Sequence, residues 1–169
     1  MPSEKLETLK FESNIYLKQI ILTDKFLSAL EDVKLTKYND NQNNYGSEID
    51  RAKSALVGAY LQPHIHGILK RDFALNRWWI QKYEKDNFHD LHTHGSGDMG
   101  LYSFILYLKA TSKSAKTRFY GPGFPLVNWD RKEVQPKPGL FILFPSYIPH
   151  SVGYNKDTKR LILSGNIAC

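Results

Sequence analysis

The chain carries two histidines on alternate residues, His92-Thr93-His94. In an extended strand alternate side chains share a face, so both imidazoles can reach one metal ion. Roughly fifty residues later, Pro145-Ser146-Tyr147-Ile148-Pro149-His150 supplies a third imidazole, and Arg160 follows ten residues beyond it. Arginine there suits an anionic co-substrate, because a guanidinium meets a carboxylate with two parallel hydrogen bonds. Three protein nitrogens around a metal, with positions left open, describe a catalytic centre better than a structural one.

Six histidines are present, and context separates them. His64 and His66 also alternate, but they follow Pro63 at the tail of a helical segment, where alternate residues do not share a face. They read as surface or packing residues. His92 and His94 are read as ending an apolar strand and precede the glycine-rich stretch from Gly95 to Gly100, whereas His150 follows the apolar run Leu140–Phe144. Both groups therefore fall at strand ends, the rim of a barrel, where sites tend to lie. Any one of these histidines alone reads as a half-buried, hydrogen-bonded imidazole; the three together read as a metal site.

The elements that must position them are strands. From Phe73 onward, Trp78–Tyr83, Tyr102–Leu108, Thr117–Tyr120, Leu140–Phe144 and Arg160–Ser164 are short aromatic or β-branched runs separated by turn residues. Upstream, Leu6–Phe11 and Ile15–Leu22 are strand-like, and a short helix is expected over Asp24–Val33 with Thr23 as its cap. Asn39–Asn44 is a polar loop. Ser47–Leu61 has helical spacing through Ile49, Ala52, Leu56, Ala59 and Tyr60, with Ser47 as N-cap; Pro63 limits that helix or bends it toward Leu69. The expectation is a single domain over 1–169: a mixed helical support region over 1–72 and a β core over 73–169. The fold class is mainly β with flanking N-terminal helices, a barrel or sandwich.

Bulk properties narrow the function classes. Aromatic residues make up 13% of the 169 residues, which favours β sheets and pocket walls. The net charge of +6 would attract phosphate, but the lysines are scattered and no basic strip marks a nucleic-acid face. The same charge suits an acidic substrate. Cys169 is the lone cysteine, so no internal disulfide staples the fold. With a polar N-terminus and no run of roughly 18 apolar residues, the expected location is cytoplasmic, away from membranes.

From Trp78 onward the chain resembles the Fe(II)/2-oxoglutarate-dependent dioxygenases, particularly their prolyl-hydroxylase-like group and its small bacterial and phage members. The matching pieces are Trp79-Ile-Gln-Lys-Tyr83, His92-Thr-His94, Leu101–Leu108, Pro138–Ser146, His150 and Arg160. The resemblance implies a double-stranded β-helix, a jelly-roll or cupin-like barrel. It implies Fe(II) held by His92, His94 and His150, and O2 and 2-oxoglutarate consumed with release of succinate and CO2. It places Arg160 and Tyr107 on the co-substrate's C5 carboxylate, with Ser164 adding a hydroxyl. The substrate it suggests is a prolyl or other peptide side chain, or a small molecule, hydroxylated at an unactivated C–H bond. The family's usual first motif has a carboxylate at position 94; here Asp98, or less directly Asp90, stands as an alternative ligand.

The spacing also resembles a cupin, in which Asp98 would be a fourth ligand and Asn155 would lie near the site. A third reading is a barrel that binds a metal or partner without turnover.

Overall fold

Strands that are apolar along their whole length need cover on both faces. The computed structural model describes residues 13–37, 45–47, 51–94, 101–122, 124–125 and 129–169. In chain order its elements are β1 (Tyr16–Gln19), α1 (Asp24–Ser28), β2 (Leu35–Lys37), β3 (Tyr45–Ser47), α2 (Arg51–Leu69), β4 (Ala74–Tyr83), β5 (His89–His92), β6 (Tyr102–Lys109), β7 (Thr117–Tyr120), β8 (Arg131–Val134), β9 (Leu140–Pro145), β10 (His150–Val152) and β11 (Arg160–Ala168). One sheet has seven strands in the order β1-β9-β6-β11-β4-β3-β2, and the other has four, β5-β10-β7-β8. Every pairing is antiparallel.

The larger sheet is buried on both sides, and its residues sort by parity. Phe104, Leu106, Leu108, Phe141, Leu143, Leu163 and Ile167 pack with Phe26, Leu30 and the α2 residues Val57, Leu61 and Ile65. Their neighbours Ile105, Tyr107, Ile142, Phe144 and Ile162 point the other way, onto Phe119, Ile148 and Val152 of the small sheet and its approach. The second core is the barrel interior, and the site lies in it. β1, β2 and β3 are strands of the larger sheet, so the N-terminal region contributes to the sheet as well as to the helical layer.

Local chemistry sets the element ends. Thr23 caps α1 as expected, its hydroxyl accepting from the Phe26 N–H at 3.3 Å. The helix stops at Ser28 rather than Val33. Ser47 closes β3 and so does not cap α2, and α2 runs through Pro63 to Leu69. The buried stripe of α2 is Val57, Leu61 and Ile65, rotated from the anticipated one; Ala52 and Ala59 are exposed. Larger aliphatics bury more apolar area than alanine, and they decide which face docks. Gly139, at φ +78°, turns the chain into β9, with Ile20 O only 2.4 Å from where a Cβ would stand. Expectations for Leu6–Phe11 and Asn39–Asn44 fall outside the described residues.

Leu61 is fully buried between α2 and the sheet. Leu61→Ala is expected to lower unfolding free energy by about 2–5 kcal/mol, read by urea denaturation.

Candidate metal and co-substrate site

The two strands that carry the outer histidines are neighbours. β10 pairs with β5 so that His150 stands opposite His92, which puts both side chains on one face. Their ring centroids are 4.2 Å apart. His94 lies just past β5, where its backbone N–H donates to Ser146 O at 3.0 Å. That bond hooks the segment after β5 onto the loop leading to His150. The ligand atoms of His92, His94 and His150 all lie within 4.8 Å of one another.

Backbone carbonyls select one tautomer for His92 and His150, and the Asn166 side chain, oriented as a third ligand requires, gives His94 the same one. The Nδ1 of His92 is 2.7 Å from the Asp90 carbonyl, that of His150 is 3.1 Å from the Ile148 carbonyl, and that of His94 is 2.7 Å from Asn166 Oδ1. Carbonyl oxygens only accept, so Nδ1 carries the proton in each ring and Nε2 keeps its lone pair. Burial also keeps the rings neutral. It pushes His150 well below its ordinary value and lowers His92. His94 is pushed down to about 4 by burial, against its bond to Asn166. Neutral imidazoles with free Nε2 atoms are the metal-binding form.

The support for His94 is a buried polar network. Asn166 Oδ1 also accepts from the Ser103 hydroxyl at 2.9 Å, and Ser103 meets Ser146 Oγ at 2.9 Å. Asn166, Ser103 and Ser146 were not anticipated from the sequence. A signal existed: each is a polar residue set in or beside an apolar run.

Arg160, at the head of β11, is fully buried. Its Nε donates to Ala115 O at 3.2 Å and its Nη2 to Thr117 Oγ1 at 3.0 Å. The guanidinium lies 4.1 Å from the Tyr83 ring centroid and 5.5 Å from that of Tyr107. No carboxylate pairs with it among the described residues, and Nη1 is buried without a partner. The Tyr107 hydroxyl is 2.6 Å from Thr117 Oγ1. Thr117 already accepts from Arg160, and only one hydroxyl proton lies between Thr117 and Tyr107. Whichever of the two donates, the other keeps a hydroxyl proton to give. Burial raises both Tyr83 and Tyr107 above the usual phenol value, against the Arg160 charge, so they stay protonated. A buried cation with an idle N–H and an idle O–H beside it fits a carboxylate, the group the cluster lacks.

His89 links the two halves. Its ring stacks on His92 with centroids 3.9 Å apart and 15° between planes, and its Nδ1 is 3.4 Å from the Tyr83 hydroxyl. Burial, then the charges of His92, His94 and Arg160, push it down to about 3. Neither His89 nor Thr117 was singled out from the sequence. Ser164 shares the interior face, but its hydroxyl donates to Phe104 O at 2.9 Å and is thereby used within the sheet. Asp98 lies outside the described residues, and Asp90 contributes its backbone carbonyl to His92. Asn155 is a buried brace: its side chain accepts from Ala115 N and donates to Tyr83 O and Asp157 O. It also donates to Asp157 Oδ1 at 3.2 Å.

Residues 77–166 match the family model described as "Putative 2OG-Fe(II) oxygenase". No curated protein matches the sequence. Among solved structures the chain is similar to an oxidoreductase of the 2OG-Fe(II) oxygenase family from Burkholderia pseudomallei, at 16% identity over 83% of this chain and 76% of that one, TM-score 0.68. It is similar to a Pseudomonas putida prolyl-4-hydroxylase, at 19% identity over 90% and 91%, TM-score 0.65. It is also similar to the α-ketoglutarate-dependent epimerase of nogalamycin biosynthesis in complex with Fe3+, α-ketoglutarate and nogalamycin RO, at 13% identity over 92% and 78%, TM-score 0.67. These likenesses establish the fold as a double-stranded β-helix.

Two outcomes follow for the ligand-free protein. Replacing an unpaired buried cation by an apolar chain of similar length removes a desolvation cost, so Arg160→Met is expected to raise stability by about 1 kcal/mol or more in urea. The buried histidines act in the opposite sense at low pH. Unfolded, they take up protons near 6.5, whereas folded His94 and His89 wait until about 4 and about 3. Stability is therefore full above 6.5 and falls as pH drops below it, by about 1.4 kcal/mol per pH unit for each such ring until its folded value is reached. Urea midpoints at pH 7 and pH 5 check this.

Proposed function

Because this chain belongs to the 2OG-Fe(II) oxygenase family, whose chemistry runs on Fe(II), 2-oxoglutarate and O2, we propose that it hydroxylates an unactivated C–H bond of an amino-acid side chain. The observation that carries this is the pairing of two half-made sites on one interior face. Three imidazoles present Nε2 lone pairs to a common point, and a buried guanidinium nearby lacks an anion.

In this reading His92, His94 and His150 hold the iron, and His94 stands where the family's usual motif has a carboxylate. Arg160, through Nη1, holds the C5 carboxylate of 2-oxoglutarate, together with the free hydroxyl proton of the Tyr107–Thr117 pair. When bound, Fe(II) and 2-oxoglutarate supply an oxidant drawn from O2, with succinate and CO2 as co-products. The protein's share is positional. Carbonyl acceptors fix the ring orientations, Phe119 and Phe144 wall the His150 side, and burial excludes water from the reacting face. The Pseudomonas prolyl-4-hydroxylase supports a prolyl carbon as first candidate, whereas the nogalamycin epimerase marks how far outcomes diverge on this fold.

Anaerobic Fe(II)-loaded protein titrated with 2-oxoglutarate is expected to develop the weak visible charge-transfer band of the chelate. His150→Ala is expected to abolish it, and Arg160→Ala to require at least tenfold more 2-oxoglutarate, a loss of about 1.4 kcal/mol or more. Iron bound without any band would sink the assignment.

A further inference from the structure

One buried donor remains without a use. Asn166 is fully buried, its Oδ1 is taken by His94 and Ser103, and its Nδ2 has no partner. The amide cannot be turned over to mend this. With Nδ2 facing His94, that ring would have to accept on Nδ1 and protonate Nε2, which removes it from the metal centre. The orientation therefore rests on the ligand assignment above. Within β11, Asn166 stands between Ser103 of β6 and Arg77 of β4. Its oxygen is taken on the Ser103 side, and Nδ2 is left without a partner.

Arg77 is the cross-strand partner of Asn166, so both side chains share the interior face. It is the last in-register pair before a β-bulge at Asn166/Ile167. On the opposite, helix-facing side Gly165 lets the two backbones pack closely: a Cβ there would lie 2.4 Å from Arg77 O and 2.7 Å from the Phe104 ring. The Arg77 guanidinium sits 5.9 Å from the Trp79 ring centroid, and Trp79 is in turn 5.5 Å from His94. Arg77 has no ion pair among the described residues. A cation, an amide N–H without an acceptor and an indole thus gather on the His94 side of the barrel, six residues along β11 from Arg160.

We propose that Arg77, Trp79 and Asn166 form a subsite for a carboxylate on the primary substrate, so that the oxidised carbon belongs to a free amino acid or to the C-terminal residue of a chain. A carboxylate offers one oxygen to Asn166 Nδ2 and the other to Arg77. An internal peptide residue offers a neutral carbonyl, which satisfies the amide and leaves the cation unpaired. Trp79 then packs against the flank of the bound residue and sets its distance from His94.

The test is ligand-observed NMR on the whole protein, both metal-free and loaded with Zn(II) and 2-oxoglutarate, using three pools: free L-amino acids, N-acetyl-L-amino acids and N-acetyl-L-amino acid amides. Binding is expected from pools with a free carboxylate and not from the amides; the first two pools separate a free amino acid from a chain end. By calorimetry, Arg77→Gln is expected to raise the Kd of the best binder at least tenfold, with partial recovery in Arg77→Lys. Arg77 is exposed, so these variants are expected to fold. Equal binding of acids and amides, no binding from any pool, or unchanged affinity in Arg77→Gln overturns the proposal. So does an Arg77→Gln protein whose 2-oxoglutarate titration weakens, because the cation would then serve the co-substrate. Absence of the iron charge-transfer band in wild type fails the co-substrate reading alone, since the metal-free arm is read without iron.

Discussion

Parity along the central strands governs this molecule. β6 and β11 are buried on both faces, and each sends one set of side chains to the helices and the other into the barrel. On β11 the even set is Arg160, Ile162, Ser164 and Asn166, and the odd set is Leu161, Leu163, Gly165 and Ile167. A slip of one residue would press a guanidinium and an amide into the helix-facing core. The register is held by nine β11–β4 partners and seven β11–β6 partners, and by Gly165, whose place beside Arg77 O and Phe104 accepts no side chain. The proposed anion anchor, metal-ligand brace and substrate cation all inherit their positions from that register.

The barrel interior is expensive to build. It holds a buried cation without a carboxylate, four neutral imidazoles of which His89 and His92 are half-buried, and a buried network of two serines and an asparagine. Each is tolerable because most of its polar atoms are paired; Arg160 Nη1 and Asn166 Nδ2 are not. Groups left unpaired in a packed interior lower stability, and proteins keep them where a ligand completes the set. The helix-facing core supplies the compensation with unbroken aliphatic and aromatic packing.

Much of this was legible in the sequence because period-two apolar runs and turn residues report strands directly. Trp78–Tyr83, Tyr102–Leu108, Leu140–Phe144 and Arg160–Ser164 all lie within strands of the larger sheet. Legibility failed where a strand is held by pairing rather than by burial of its own apolar face. β8 reads Arg-Lys-Glu-Val and has no apolar pattern to detect, and the strand expected before His94 is β5, His-Asp-Leu-His, polar rather than apolar and ending at His92. The histidines were visible as a spacing, and the structure brings His92, His94 and His150 together. Their supports went unread: Ser103 and Asn166 are marked only as polar residues in apolar runs, and they and Thr117 meet the site through sheet register. Ser164 shows the converse: parity put it on the interior face, but a nearby carbonyl claimed its proton.

His92 and His150 stand opposite each other across two short strands yet are separated by 58 positions of chain. In the proposed centre an ion joining them behaves as a cross-link that closes a long loop, removing conformational freedom from the unfolded chain much as a disulfide does. The pairing it reinforces joins β5, four residues at the edge of the small sheet, to β10, three residues that β7 also holds. Occupancy of that centre would then add to the stability of the fold as a whole, and the β5 edge would be the first pairing to feel its loss.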